Sequence, residues 1–377
     1  MPRASPAADP VALIVTPGYL PLLGGMEREC ALLAHEFRRR GFAPVVITEQ
    51  QGLRVPRHEV LDGVEVLRIP STLERSLSVQ LRVAAQMARL VLRFRRRAAF
   101  AIVRTMTLPA LAVGLLKKLR LLPFPTLVTA ETGFDVTALR ELPLYPVSRA
   151  LAGAHDCLNG LSQANVADLR AGGFPDAKIG SIPNGVDTSA WQGTAAPDRV
   201  EHLLFLGRLD REKGVFELVE AFADVRSRHP QLRLTFAGEG PARGDLEARC
   251  DELGIANAVD LIGRVPYEQL GELFERTDCL VLPSYSEGMP LSVLEAAAHR
   301  LVLVVSDVGD VQRLFGDRVN LCPARDAAGL ATVLDRVAST RHPKVDYADV
   351  LAAVSIESVA QTMLDRLGVY ERGEVNG

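Results

Sequence analysis

Two glutamates, Glu287 and Glu295, lie eight positions apart in a stretch that could bind an anionic ligand. The apolar run 279–282 predicts a buried strand, residues 291–298 favour a helix, and a Gly and a Pro between them indicate a tight loop. Backbone N–H groups and the helix dipole converge where such a loop enters a helix, and they favour a bound anion. The two carboxylates suit hydroxyl groups instead, because a carboxylate accepts hydrogen bonds. A diphosphate between two hydroxyl-bearing groups, as in a nucleotide sugar, matches this pattern.

A second loop, residues 207–214, carries three cations between glycines: Arg208, Arg211 and Lys213. It follows the apolar run 202–206, which predicts a strand, and it precedes a predicted helix that ends near Ser227. Arg208 and Lys213 therefore lie where a strand-to-helix turn would hold phosphate. The alternative is an ordinary solvated surface loop.

Near the N-terminus, Gly24 and Gly25 follow the predicted strand 11–16 and precede a predicted helix over residues 27–40. Adjacent glycines at such a turn let N–H groups approach a ligand without interference from a Cβ atom. A loop that simply has room to bend is the alternative interpretation.

The chain of 377 residues is long enough for two domains of ordinary size. Its composition, 48% hydrophobic and 24% charged, is typical of a globular protein, and no apolar run approaches the ~20 residues that span a bilayer. Residues 1–10 have no apolar signal region, so we expect a cytoplasmic protein. The five cysteines are too scattered for a zinc or redox motif, which predicts reduced structural thiols.

Charge is distributed unequally along the chain. Residues 1–183 contain 23 Lys and Arg against 15 Asp and Glu, whereas the remaining residues contain 20 against 31. This asymmetry supports two domains with different partners. Strand-like and helix-like segments alternate in both halves, which predicts parallel sheets covered on both faces.

A predicted amphipathic helix over residues 77–97 has an apolar stripe on one side. Five arginines share an arc on the other side: Arg82, Arg89, Arg93, Arg96 and Arg97. A solvated charged face is one interpretation. Contact with anionic lipid headgroups is the other, at ~1 kcal/mol for each Arg near the surface. Nucleic acid is the weaker option, because no aromatic residues are interleaved with the cations and the whole chain is acidic.

Residues 283–295 resemble the Glu-x7-Glu motif of the family 4 retaining glycosyltransferases, enzymes with the GT-B fold. The segments 182–187, 207–214 and 238–244 are similar to further motifs of that family, and so is the Pro-x-x-Gly-Gly-Met-Glu sequence at residues 21–27. The resemblance implies two Rossmann-like, doubly wound parallel-sheet domains that face a cleft. Residues 1–187 would form the acceptor-binding domain, residues 188–355 the nucleotide-sugar-binding domain, and residues 356–377 a C-terminal helix that crosses back to the first domain. Residues 193–197 look like a linker.

The resemblance also implies roles for individual residues. Glu295 would bind the ribose diol of the donor, Glu287 would contact the transferred sugar, and Arg208 and Lys213 would hold the diphosphate. Glu287, Arg208 and Lys213 would be catalytic. The complete implied donor site consists of Gly24, Gly25, Arg208, Lys213, Gly240, Arg264, Val265, Glu287, Gly288, Met289, Pro290, Leu291 and Glu295.

The acceptor side is less clearly marked. The segment 129–135 follows a predicted strand and should lie at the carboxyl edge of the first sheet, where doubly wound folds bind ligands. Many members of the family have a sugar-contacting His where this chain has Thr132, so that role is not transferred. Glu131 and Asp135 are the candidate acceptor-binding residues, and helix capping is an equal alternative for Asp135.

The implied activity is that of a retaining, metal-independent hexosyltransferase that moves a sugar from a nucleotide sugar to an acceptor hydroxyl. A UDP-sugar is the favoured donor and a GDP-sugar the alternative. The acceptor would be lipid-linked or a small molecule, in the biosynthesis of a cell-surface polysaccharide, a glycolipid or a glycosylated metabolite. The chain contains no Asp-x-Asp motif, so we expect neither a metal site nor a cofactor. Two alternatives are a GT-B phosphorylase and a catalytically silent nucleotide-sugar-binding subunit.

Overall fold

The computed structural model describes residues 9–22, 24–72, 76–131, 133–141, 144–188, 198–342 and 345–370. Contacts divide the chain into two units. The first unit contains the residues up to Gly185 together with those from Ile356 onward, and the second unit is Val186–Ser355. The linker-like residues 193–197 lie outside the described residues.

The first unit contains an eight-stranded sheet in the order β3-β4-β2-β1-β5-β6-β7-β8. All neighbouring pairs are parallel except β3 with β4. The strands are β1 (Val11–Val15), β2 (Ala43–Glu49), β3 (His58–Leu61), β4 (Val64–Ile69), β5 (Ala98–Arg104), β6 (Thr126–Ala130), β7 (Cys157–Gly160) and β8 (Ile179–Ser181).

Strand β1 shows why the central strands are apolar throughout. Its alternate residues belong to two different hydrophobic cores, with Leu13 in one core and Ile14 in the other. Successive side chains of a strand point to opposite faces, so a sheet covered on both faces needs apolar residues at every position. The covering helices are α1 (Gly25–Arg39), α2 (Leu77–Arg93), α3 (Leu108–Lys118), α4 (Gly133–Glu141), α5 (Tyr145–Ala152) and α6 (Gln163–Ala171).

The predicted helix over residues 77–97 is four residues too long, since α2 ends at Arg93. Phe94 is buried, and the chain turns there as the N–H group of Arg97 donates to the carbonyl oxygen of Phe94 at 2.8 Å. The N–H groups of Phe94 and Arg95 donate to carbonyl oxygens three residues earlier instead of four, so the α-helix ends in a turn and the chain then enters β5. Arg96 and Arg97 therefore lie in an exposed turn and not on the helical arc.

The second unit contains a six-stranded, fully parallel sheet in the order β11-β10-β9-β12-β13-β14. The strands are β9 (His202–Leu206), β10 (Arg233–Ala237), β11 (Val259–Gly263), β12 (Cys279–Leu282), β13 (Val302–Ser306) and β14 (Asn320–Cys322). Its helices are α7 (Val215–Arg226), α8 (Arg243–Glu252), α9 (Leu270–Glu275), α10 (Leu291–Ala298), α11 (Val311–Phe315), α12 (Ala327–Ser339) and α13 (Ala348–Val354). The predicted doubly wound parallel sheets are thus confirmed in both units.

The strand order of the second unit reverses between β9 and β12. The chain runs outward from β9 to β11 on one side and from β12 to β14 on the other. In open α/β sheets, the loops that follow the two strands at such a switch point flank a ligand-binding crevice. The two segments singled out from the sequence, 207–214 and 283–295, follow these two strands.

The last helix, α14 (Ile356–Leu367), belongs to the first unit, where it packs against α1 and β6. Its apolar face is buried in the same core as Ile14, and the Arg366 guanidinium donates to the carbonyl oxygen of Ile179 at 2.7 Å. Among the helices that the structure describes, none is both long enough and apolar enough to span a bilayer.

Candidate functional site

The loop after β9 forms a short 3₁₀ turn, Arg211–Lys213, before α7 begins. The Asp210 carboxylate accepts a hydrogen bond from the backbone N–H group of Lys213 at 3.2 Å and so caps this turn. Gly214 follows in the left-handed conformation, with φ of 68°, and a Cβ atom there would lie 2.2 Å from the carbonyl oxygen of Pro283. Only glycine allows the loops after β9 and β12 to approach this closely.

The loop after β10 supports the same region from the other side. Gly240 has no side chain where a Cβ atom would lie 2.1 Å from the carbonyl oxygen of Leu209. Gly238 is equally constrained, since its φ is 154° and a Cβ atom there would lie 1.8 Å from the carbonyl oxygen of Gly207. The N–H group of Leu209 donates to the carbonyl oxygen of Glu239 at 3.0 Å. The implied donor contact of Gly240 stays a prediction, but backbone packing alone requires glycine there.

The loop after β12 is fixed by three contacts of Tyr285. Its N–H group donates to the carbonyl oxygen of Glu212 at 2.8 Å, and its hydroxyl group donates to Glu217 at 2.5 Å. The Arg325 guanidinium lies 4.4 Å from the centre of its ring. At the far end, a Cβ atom at Gly309 would lie 2.5 Å from the carbonyl oxygen of Gly288. Both ends of the loop are therefore held by neighbouring loops.

Two ion pairs occupy this edge of the sheet. The Lys213 ammonium lies 2.6 Å from Glu287 Oε1, and Arg208 Nη2 lies 2.5 Å from Asp210 Oδ2. The structure thus brings Lys213 and Glu287, which are 74 positions apart, into direct contact. Arg208 lies in the same loop with its side chain 66% exposed.

The other implied donor residues of the second unit differ in how far they are buried. Glu295 is only 2% exposed, on the buried side of α10. The residues that lead into this helix are buried: Gly288, Met289, Pro290 and Leu291. Arg264 is exposed and Val265 half-buried at the end of β11, which is two strands away from β9 at the same carboxyl edge.

The first unit has a buried charge network at the carboxyl edge of its own sheet. Arg104, the last residue of β5, contacts Glu29 at 2.7 Å and Glu131 at 2.5 Å. It also donates to the side chain of Asn184 at 3.2 Å, and Glu29 accepts from the N–H group of Gly185 at 2.9 Å. Burial raises the pKa of Glu29, and the nearby Arg104 opposes this shift. Arg104 and Glu29 were missed in the sequence, where the only signals are an arginine ending an apolar run and a glutamate inside a helix.

Gly24 and Gly25 lie at the start of α1 in the same unit. A Cβ atom at Gly24 would lie 2.1 Å from the carboxylate of Glu27, and one at Gly18 would lie 2.3 Å from it. Burial raises the pKa of Glu27, and the charge of Glu131 raises it further. The glycine at position 24 therefore makes room for Glu27, while its implied donor contact and that of Gly25 stay predictions.

Thr132, to which no role was transferred, lies outside the described residues. Asp135 is described only as backbone, as the third residue of α4, so it is not the N-cap of this helix and its acceptor role stays a prediction. Among the described residues, no group of three or more His, Cys, Asp and Glu side chains could hold a metal ion.

Comparisons with known proteins match both parts of the chain. The family model described as "Glycosyltransferase Family 4" matches residues 23–190, and the model "Glycosyl transferases group 1" matches residues 190–348. The chain is similar to a glycogen synthase of Mycobacterium tuberculosis, with 36% identity over 43% of this chain and 40% of that protein. It is also similar to a GDP-mannose:cellobiosyl-diphosphopolyprenol alpha-mannosyltransferase of Xanthomonas campestris, with 30% identity over 50% of this chain and 51% of that protein. The matched region thus spans about half or less of the length of these relatives.

One similar solved structure is that of HepE from Anabaena in complex with UDP and glucose. It shares 15% sequence identity and a TM-score of 0.70 with this chain, over 95% of this chain and 99% of that protein. At this identity the likeness concerns the fold alone.

We predict that Gly240→Ala destabilises the second unit. The new Cβ atom would push the backbone of Leu209 away, and such overpacking costs about 1–3 kcal/mol. Gly244→Ala is the matched control, because Gly244 lies in α8, a Cβ atom there would meet no atom from another part of the chain within 4 Å, and alanine favours a helix. Urea unfolding followed by circular dichroism should show a lower midpoint for Gly240→Ala only. Equal midpoints for both variants would contradict the close packing described above.

Proposed function

Because the chain belongs to the family 4 glycosyltransferases of GT-B fold, we propose that it transfers a sugar, with retention, from a nucleotide-sugar donor to an acceptor hydroxyl group. The observation that carries the proposal is the contact between Lys213 and Glu287 at the switch point of the second unit. It places a cation suited to a diphosphate beside a carboxylate suited to sugar hydroxyl groups. These are the two groups that meet at the bond to be broken in a nucleotide sugar.

The proposed role of the loop after β9 is electrostatic. Negative charge grows on the diphosphate as its bond to the sugar breaks, and preorganised positive groups lower the energy of that transition state. Arg208 and Lys213 supply two positive charges, and the N-terminus of α7 follows directly. We propose that these groups act without a metal ion or a cofactor.

The proposed reaction takes place on the leaving-group face of the sugar. The bond between the anomeric carbon and the diphosphate oxygen breaks, and the acceptor oxygen bonds to the anomeric carbon from the same side. The acceptor proton passes to the departing diphosphate. Glu287 then stabilises the positively charged, oxocarbenium-like sugar and needs no covalent bond to it, in contrast to a double displacement.

Two of the similar proteins support the choice of donor and acceptor classes. The HepE structure contains UDP and glucose, which favours a UDP-sugar as the donor. The name of the Xanthomonas relative gives GDP-mannose as its donor, which keeps a GDP-sugar as the alternative. The acceptor named for that relative is a polyprenol-linked sugar. We therefore propose a lipid-linked acceptor, with a small molecule as the alternative, bound by the first unit near Glu131.

The two glutamates should respond differently to substitution. Glu295→Gln should weaken binding of free UDP and raise the donor KM about 10-fold or more, because a ribose contact is made equally in the ground and transition states. Glu287→Gln should lower kcat about 10-fold or more and leave UDP affinity nearly unchanged. The transferred sugar, which Glu287 is proposed to contact, becomes positively charged only in the transition state. Calorimetric titration with UDP and steady-state kinetics with UDP-sugars separate the two effects.

Glu212→Gln is the matched control, since this exposed carboxylate lies one position before Lys213 and its backbone contact with Tyr285 is kept. It should leave both UDP affinity and kcat unchanged. The proposed roles are reversed if Glu287→Gln weakens UDP binding while Glu295→Gln does not, and they are wrong if neither change affects donor use.

We further propose that helix α2 contacts an anionic membrane. Arg82, Arg89 and Arg93 are exposed along it, and Leu77 and Leu81 beside them are 63% and 53% exposed. An amphipathic helix with exposed apolar groups next to cations binds at the surface of an anionic bilayer. Such a contact would bring the first unit close to a lipid-linked acceptor.

Replacing Arg82, Arg89 and Arg93 by Gln should reduce binding to phosphatidylserine-containing vesicles. At ~1 kcal/mol for each cation near the surface, the loss should reach about 100-fold, and high salt should abolish the wild-type binding. Vesicle co-sedimentation at low and high salt measures both effects.

A control triple variant, with Arg211, Arg276 and Arg300 of the second unit replaced by Gln, makes the same change in net charge at other exposed positions. It should sediment with vesicles as the wild type does. Equal losses in both triple variants would show that net charge, and not α2, governs the binding.

A further inference from the structure

The Arg208 side chain needs a partner if it is to bind a diphosphate in one fixed position. Its backbone is already fixed, because Gly207 donates to the last residue of β10 at 3.1 Å and Leu209 donates to the loop after β10 at 3.0 Å. The guanidinium group, however, projects from this backbone with the side chain 66% exposed. A long, exposed arginine side chain populates many rotamers, and ordering it opposes binding.

Asp210 is placed to supply that order. The residue is only 8% exposed, and its two carboxylate oxygens have different tasks. Oδ1 accepts from the backbone N–H group of Lys213 at 3.2 Å, while Oδ2 lies 2.5 Å from Arg208 Nη2 as a close charge pair. One buried carboxylate thus contacts two of the three cationic residues of the loop, Lys213 through its backbone N–H group and Arg208 through its guanidinium group.

We infer that Asp210 is a positioning residue for the donor diphosphate, acting by holding the Arg208 guanidinium at the carboxyl edge of the sheet. The inference rests on the proposed function, because it assigns the diphosphate of a nucleotide sugar to this loop. It adds a residue that the family resemblance does not assign and that touches no substrate itself.

Removal of the Asp210 charge changes diphosphate binding in opposite directions, depending on whether Asp210 orders Arg208 or only repels the ligand. A carboxylate beside a bound diphosphate repels it, so removal of the Asp210 charge would strengthen binding if charge alone mattered. If Asp210 instead orders Arg208, its removal weakens binding. Asp210→Asn makes the distinction, because Asn keeps an oxygen that can cap the turn but can place an N–H donor against the guanidinium donors of Arg208.

Asp326 provides a matched control in the same unit. Its carboxylate caps α12 by accepting from the N–H group of Gly329 at 2.9 Å, which is the same kind of contact that Asp210 makes with Lys213. Asp326→Asn therefore removes the same charge and alters the same kind of capping carboxylate as Asp210→Asn. It leaves the contact between Asp210 and Arg208 intact.

The test is calorimetric titration with UDP, together with kcat/KM for a UDP-sugar, on the full chain. We expect Asp210→Asn to weaken UDP binding about 10-fold and to lower kcat/KM by at least as much, while Asp326→Asn leaves both unchanged. In an Arg208→Ala background, Asp210→Asn should cause no further loss, because two residues that act through one contact are not additive. A general structural defect would not disappear in that background.

Three results would overturn the inference. Unchanged or tighter UDP binding in Asp210→Asn would mean that the carboxylate does not order Arg208. A full additional loss in the Arg208→Ala background would mean that Asp210 acts through another group. If the wild type binds neither UDP nor GDP, the proposed function fails and this inference fails with it, whereas normal wild-type binding with an unaffected Asp210→Asn variant refutes the inference alone.

Discussion

The second unit depends on the close approach of the loops that follow β9 and β12, its two central strands. Gly214 touches the carbonyl group of Pro283, and Lys213 and Glu287 then meet at 2.6 Å. The Lys213 and Glu287 side chains are only 26% and 12% exposed, so each charge is partly desolvated and the opposite charge compensates it. A ligand that carries both phosphate and hydroxyl groups can satisfy the two charges at once. The contact that holds the loops together therefore also defines the chemistry of the ligand that we propose for it.

The first unit also has paired charges at the carboxyl edge of its sheet. Its central strands are buried on both faces, so polar side chains concentrate at the carboxyl edge, where Arg104 ends β5. A fully buried guanidinium group is tolerated there because the carboxylates of Glu29 and Glu131 offset its charge and the side chain of Asn184 accepts a hydrogen bond from it. This network also ties α1 to the segment where the chain leaves the unit, since Glu29 accepts from the N–H group of Gly185.

Much of this architecture could be predicted from local patterns, and the exceptions have physical causes. Continuous apolar runs predicted the central strands, because strands covered on both faces cannot alternate. The extent of α2 was overestimated because Arg96 and Arg97 continue the helical spacing, whereas the helical hydrogen bonds end in a turn at Phe94. Arg104 and Glu29 were not predicted at all, because single charged residues give no local sign that they are buried and paired across the chain. Lys213 and Glu287 could be assigned to one site only through the motifs that surround both residues.

The central claim is that the loop after β9 holds the donor diphosphate, and one kinetic comparison tests it most directly. Lys213→Ala and Arg208→Ala should each lower kcat/KM for a UDP-sugar or GDP-sugar about 100-fold or more, the scale for loss of one transition-state charge stabiliser. Arg211→Ala removes an exposed cation from the same loop that stacks over Phe216 at 4.7 Å, and it should leave kcat/KM nearly unchanged. Near-wild-type turnover in the Lys213 and Arg208 variants, with the fold intact by circular dichroism, would contradict the claim.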